Sequence, residues 1–480
     1  MQKPNLIYVF ADQLRYSSCG YTGDAAAKTP CIDRFRRESF DLCNAVSGHP
    51  VCAPYRASLF TGKYTTSTGM VINEIRLNPG HHKHCFAHIL NEGGYESAYI
   101  GKWHMWAAQL GNHYDPANSF VPPGPDRLGF DGYFAHYNFH HNYYGAAAYY
   151  HLDTPKKIYA KGYEPDVQTD MAIAQLERLS AAKKPFALFL SLGTPHDPWV
   201  HENVPGKYLE LFNNIVFNLP KNYLPQNDPY ADNWAKLNEK ERRDLLSWIR
   251  VYYAMTANLD YNIGRLMDEI KRLKLYDNSI ILFTSDHGEL FGAHGRRAKN
   301  IFYEEAVRVP FLVRYNGVLE EGGASDVCLN TVDIMPTLLS MMDLPVPAES
   351  EGADLSGAIM RKPGAAAPGA AEPDGALMMG TGATAIFEDG YEWRAWRTKQ
   401  YTYAQYLSDK SELLFDNKND PYQIKNLAND PAFARLKTGL RKAMLAKMES
   451  IGDTFETCCW YEKNWTKDRI IERTAANDRE

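Results

Sequence analysis

Four short runs are apolar almost without interruption: "NLIYVFA" (Asn5–Ala11), "PFALFLSLG" (185–193), "SIILFTSD" (279–286) and "VPFLVRYNG" (309–317). A strand with one wet face alternates apolar and polar residues. An unbroken apolar run of strand length needs cover on both faces. Helical patterns lie between these runs. They include "CIDRFRRESF", "HKHCFAHILNEGG" closed by Gly93–Gly94, "DVQTDMAIAQLERLSAA", an amphipathic segment over Glu239–Leu275, and "VDIMPTLLSMMDL" with an internal proline. "YESAYIGK" adds a shorter strand. Strands alternating with helices predict an α/β fold, a large and mostly parallel mixed sheet sandwiched by helices.

The pattern changes after residue 352. Gly352–Gly375 is rich in Ala, Gly and Pro and has little to bury. Beyond it, "YEWRAWRTKQYTYAQY" and "ELLFDN" read as short antiparallel strands, and "PAFARLKTGLRKAMLAKMES" as one amphipathic helix. The 480 residues therefore divide into a main domain, 1–375, and a smaller C-terminal α+β subdomain, 376–480.

Composition narrows the function classes. The net charge is -6 and no basic run forms a stripe, which sets nucleic acid aside. No apolar run approaches the roughly 20 residues of a membrane span. The N-terminus reads as a core strand without a signal-peptide cleavage site, so a cytoplasmic location is expected. The eight cysteines are irregularly spaced with no CxxC pair. Free thiols in a reducing compartment are the simpler reading.

One of those cysteines sits in "SGHPVCAPYRASLFTGKY" (Ser47–Tyr64). Pro54 suits the first turn of a helix, and Gly62 closes the run. Cys52 thus lies at a helix N-terminus, where backbone N–H groups favour negative charge, with Arg56 one turn inside. The strands end on reactive residues: Asp12 and Gln13 after the first, Lys102 and His104 after "YESAYIGK", His196 and Asp197 after "LFLSLGTP", Asp286 and His287 after "IILFTS". In open α/β sheets, ligands bind beyond the carboxyl ends of strands. Asp12, Asp286, the Gln13 amide and His287 make an oxygen-dominated shell. It suits Ca²⁺ or Mg²⁺, with Mn²⁺ or Zn²⁺ open because of the histidine. Arg56, Lys102, His104, His196 and Lys299 supply the donors that a tetrahedral anion requires.

The ordered set resembles the type I sulfatases of the alkaline phosphatase superfamily. "CAPYR" matches their Cys-x-Pro-x-Arg signature. "GKWH", "TPHDPW", "SDHGELFGAHG" with a following lysine, and the C-terminal "LLFDNKNDPYQIKNLANDP" follow in the family's order. The resemblance spans about residues 4 to 450. It implies that Cys52 is oxidised by a formylglycine-generating maturation enzyme to an aldehyde, whose hydrate attacks sulfur at a Ca²⁺ site. It also implies metal ligation by Asp12, Gln13, Asp286, His287 and residue 52. Arg56 would hold the hydrate and His104 would act as base. Lys102, Lys299 and His196 would bind sulfate, with His196 or Lys299 protonating the leaving oxygen.

Many sulfatases carry Asp-Asp where this chain has Asp12-Gln13. That pairing also resembles phosphonate monoester hydrolases and choline sulfatases, so a phosphonate monoester or phosphodiester hydrolase, or a choline or aryl sulfatase of the same superfamily, is the alternative. Lys102 and His104 favour sulfate, because the phosphonate enzymes carry neutral residues there. A non-catalytic sulfated-glycan binder is a third reading. The segment Phe130–Tyr163 is dense in Tyr, Phe, His and Asn, side chains that stack on sugar rings and bond their hydroxyls. His141 and Asn142 from it, with His294 and Arg394, are the candidate substrate-binding residues, and the expected substrate is a carbohydrate sulfate. Homo-oligomer formation stays open.

Overall fold

The computed structural model describes residues 3–145, 148–360 and 372–477. Residues 361–371 of the Ala/Gly/Pro-rich stretch lie outside them. Eight strands form the main sheet in the order Ala324–Ser325, Phe40–Leu42, Phe311–Tyr315, Ser279–Ser285, Asn5–Asp12, Phe186–Pro195, Glu96–Lys102, Phe134–Tyr137. The pairs on both sides of Asn5–Asp12 are parallel, as is the pairing of Glu96–Lys102 with its two neighbours. Phe311–Tyr315, one of the four apolar runs, is antiparallel to both of its neighbours. That strand makes the sheet mixed.

The alternation along Asn5–Asp12 shows why the run is apolar throughout. Leu6, Tyr8 and Phe10 enter one buried cluster, while Ile7, Val9 and Ala11 enter the cluster on the other face. The second face is covered by the helices Pro30–Glu38, Glu164–Ala181 and Glu239–Arg272, which supply Phe35, Leu176 and Leu266. The first is covered by Cys52–Thr61, Phe86–Glu92 and Thr331–Met341. The helix Glu239–Arg272 starts on a capping box, Asn238 with Glu241.

A second, antiparallel sheet orders Ala376–Gly380, Trp393–Arg397, Tyr401–Tyr406 and Glu412–Asp416. The helix Ala434–Ser450 packs on it through Leu440, Met444 and Met448. The chain then returns to the main body. A further helix, Cys458–Trp465, and a small ribbon carry Tyr461, Trp465 and Ile471 into the cluster under the first face of the main sheet. Among the described residues, no helix is long and apolar enough to cross a membrane.

Candidate active site

Asn5–Asp12, Ser279–Ser285, Phe186–Pro195 and Glu96–Lys102 occupy four adjacent sheet positions and run parallel. Their carboxyl ends therefore open on the same side. Asp12, Asp286, His287, His196 and Lys102 meet there although up to 275 residues of chain separate them, counting from Asp12 to His287.

The helix Cys52–Thr61 points its N-terminus into this cluster. All ten of its residues are buried, and Gly62 (φ 65°) ends it in the left-handed conformation that glycine adopts freely. Its N-cap, Val51, offers no side-chain acceptor. Asn73 reaches across instead, and its Oδ1 accepts from the Ala53 N–H at 2.9 Å. Cys52 Sγ lies 3.2 Å from His287 Nε2 and 3.6 Å from Asp12 Oδ1.

Cys52, Asp12, Asp286 and His287, all buried, offer ligand atoms within 4.8 Å of one another. Burial and the neighbouring Asp12 charge push the Asp286 carboxyl up to about 6. For Asp12 burial acts upward too, but Lys102, His196 and Arg56 outweigh it and hold the carboxyl well below the usual range. His287 Nδ1 faces the Gly288 carbonyl at 3.0 Å, which leaves Nε2 free to ligate. Burial brings its pKa down to about 4, so the ring is neutral. Two carboxylates and a neutral imidazole around one point fit a divalent cation.

Gln13 stands beside this cluster with φ 70°, strain a non-glycine residue keeps only when its surroundings impose it. Its Nε2 donates to Glu289 Oε2 at 2.6 Å, and its Oε1 accepts from Lys299 Nζ at 2.9 Å. Glu289 also accepts from the Phe291 and Ala298 N–H groups, so it holds the turn that delivers Lys299. The sequence reading missed Glu289. Its only signal was position, three residues after Asp286.

Cations fill the rest. Arg56 is wholly buried and bonds Asp12 Oδ2 (3.2 Å), Asp286 Oδ2 (3.4 Å), Ser191 Oγ (2.6 Å) and the Lys102 carbonyl (2.5 Å). Lys102 Nζ donates to Asp12 Oδ2 at 2.6 Å. Lys299 Nζ also donates to His196 Nε2 at 2.7 Å, and burial with Lys299 nearby keeps His196 well below its ordinary pKa. His104 has φ 61°. Both its ring nitrogens are buried with no hydrogen-bond partner among the described residues. Burial, Lys102 and Arg56 keep it neutral, and Phe139 stacks on it at 4.7 Å.

His104, His196 and Lys299 form the floor of a cleft of about 390 Å³, walled in part by Trp199, Trp234 and Trp248. His141 lines it, stacked on His196 at 4.7 Å. Asn142 turns its amide to the Tyr114 hydroxyl. His294 stacks on Tyr303 at 3.6 Å and bonds Asn222, beside a separate groove. Arg394 is not brought to the cleft. It is fully buried, with its donors on Asp453, Tyr461 and the Gly380 and Trp393 carbonyls. It is an internal strut of the C-terminal sheet. The three cleft tryptophans come from distant segments and carry no common sequence signal.

This fold and site place the chain among α/β proteins of the alkaline phosphatase-like superfamily. Residues 4–344 match the sulfatase family, and the chain belongs to that family, whose members hydrolyse sulfate esters. It is 36% identical over 469 residues to an ulvan-active sulfatase of Formosa agariphila, covering 96% of this chain and 84% of the relative. It is 28% identical to an endo-4-O-sulfatase of Bacteroides thetaiotaomicron, covering 98% and 95%. A structure solved in complex with its substrate D-glucosamine-2-N,6-O-disulfate shares the fold. Its TM-score is 0.79 at 23% identity, with 96% and 99% coverage.

Proposed function

We propose that the protein removes O-sulfate from a carbohydrate at a Ca²⁺ site, with residue 52 oxidised to formylglycine. The supporting observation is Cys52 at the centre of the cluster. Two buried carboxylates and a neutral His287 lie on one side of it, and a sugar-sized cleft with an aromatic wall opens beyond. The likeness to ulvan-active and endo-4-O sulfatases supports a glycan substrate.

The residues divide the work. Asp12, Asp286 and His287, with the Gln13 amide beside them, would hold the cation, which would offset the two carboxylate charges and supply positive charge for the sulfate oxygens. Formylglycine at residue 52 would supply, as its hydrate, the oxygen that attacks sulfur. Arg56 fixes that group and favours its ionised form, being an always-charged donor already anchored on Ser191 and the Lys102 carbonyl. Lys102 and Lys299 bind sulfate oxygens and offset charge that builds there. Lys299, bonded to His196, also has a proton to hand to the leaving oxygen. His104, neutral and unpartnered, takes a proton. We place the domain boundary at residue 375; Thr384 and Ala385 beyond it line the cleft. A maturation enzyme is the implied protein partner, and the eight free cysteines fit a cytoplasmic location.

Mass spectrometry of the Cys52 peptide, with sulfate release from sulfated oligosaccharides and from a phosphonate monoester, tests the reading. Conversion of the thiol to an aldehyde and preferential sulfate release are expected. An unmodified thiol in active enzyme overturns it. A preference for the phosphonate transfers the site to the alternative chemistry that Gln13 suggests.

A further inference from the structure

The cleft that His104 lines also carries two polar side chains to which the proposed chemistry gives no role. Asn73 and Glu74 both line the cleft, and they are only 7% and 5% exposed. Asn73 Oδ1 is committed to the Ala53 N–H, but its Nδ2 donates to no acceptor among the described residues. Glu74 Oε2 accepts from the Gly111 N–H at 2.7 Å, while Oε1 accepts from no donor among them. The backbone here is held with care. Glu74 has φ 59°. Arg469, from the C-terminal ribbon, donates to the Glu74 carbonyl at 2.7 Å and to the Ala385 carbonyl at 2.9 Å. Such a conformation persists only where the surrounding structure imposes it.

Taking the carbohydrate-sulfatase reading as its basis, we propose that Asn73 and Glu74 read the hydroxyls of the sugar that carries the sulfate. The Asn73 amide donates to one hydroxyl oxygen of the ring and the Glu74 carboxylate accepts from the neighbouring hydroxyl. A vicinal diol offers this donor and acceptor; an aryl sulfate offers neither. Burial pushes the Glu74 carboxyl up to about 7, the behaviour of a carboxylate short of donors, and a sugar hydroxyl supplies one. Asn73 also ties this reading to the chemistry. The side chain that meets the sugar is the one that caps the Cys52 helix, so sugar contact and nucleophile share a single support.

Glu74→Gln and Asn73→Asp test the pair. The second keeps the Oδ1 acceptor for Ala53 and replaces the amide donor with a second carboxylate oxygen, adding one negative charge. The readout is the ratio of kcat/KM for a sulfated oligosaccharide, ulvan fragments included, to that for 4-nitrophenyl sulfate. Each variant is expected to lower this ratio about tenfold or more. Calorimetry provides a readout without turnover: affinity for the desulfated oligosaccharide falls, and affinity for inorganic sulfate falls less. A ratio within about twofold of wild type, or equal losses for sugar and inorganic sulfate, overturns the pair's role. Should wild type release sulfate from no oligosaccharide and only from the aryl ester, the carbohydrate reading itself fails. Thermal unfolding checks each fold, and Glu74→Gln carries the test alone if Asn73→Asp is unfolded.

Discussion

Cys52 Sγ lies 3.2 Å from His287 Nε2, across 235 residues of sequence. The contact joins the N-terminus of one helix to the carboxyl end of a central strand. It sets residue 52 against the group with which it would share a cation. Replacing Cys52 with Ser is expected to abolish sulfate release in a host with the oxygen-dependent maturation system and to leave the melting temperature nearly unchanged, since serine fills almost the same space. Turnover within a few-fold of wild type in that host would exclude an aldehyde at this position.

Chelation should lower both activity and thermal stability, and Ca²⁺ should restore them, because removing the cation leaves Asp12 and Asp286 crowded and buried. Gln13→Ala would remove one proposed ligand. It should raise the Ca²⁺ concentration for half-maximal stabilisation about tenfold, or about 1.4 kcal/mol. A metal-free protein with undiminished melting temperature and turnover would contradict the site.

Lys102 and His104 leave the same strand, and the proposed mechanism gives them different tasks. Lys102→Ala removes a sulfate-binding charge and the partner of buried Asp12, so kcat/KM and stability should fall together, the latter by about 3–5 kcal/mol. Among the described residues, His104 bonds no group through its ring. His104→Ala should leave stability close to wild type and lower kcat by roughly 10²–10⁴, with KM little changed. A rise in KM at constant kcat would make His104 a binding residue.

Stability should peak in weakly acid solution. Burial raises the Glu164 carboxyl to about 8 and lowers His140, 3.1 Å away, to about 3. Glu164 is protonated more readily in the folded chain than in the unfolded one. Its contribution is complete below the ordinary value of 4.5 and is lost as pH climbs towards 8. His140 contributes fully above 6.5 and loses its share as pH falls towards 3. Each group contributes a slope of at most about 1.4 kcal/mol per pH unit. Urea unfolding from pH 5 to 8 should show Glu164→Gln flattening the alkaline limb. An unchanged slope would mean that Glu164 is not the titrating group.

Arg394 pairs with Asp453 at 2.5 and 2.8 Å, both side chains fully buried. Arg394→Ala strands that carboxylate. A loss of about 3–5 kcal/mol is expected, with KM of the folded fraction unchanged. An altered KM at wild-type stability would return Arg394 to the substrate.

The amino-acid sequence by itself determined which strands are central and which residues stand at their ends. A strand buried on both faces must be apolar throughout, so the polar residue that breaks each run marks the sheet's edge. Asp12, Lys102, His196 and Asp286 were legible for that reason. So was Cys52, because its proline, arginine and closing glycine are contiguous. Only the tertiary structure decided the rest. Gln13 is aimed by Glu289, 276 residues away, and His104 is left without a partner by what packs around it. Arg394 shows the limit most clearly. Alternation along Trp393–Arg397 separates two faces of a strand. Which face packs on the main body, as Trp393 does on Phe302, and which meets Asp453 depends on how the second sheet docks, and that information is spread over contacts no local window contains.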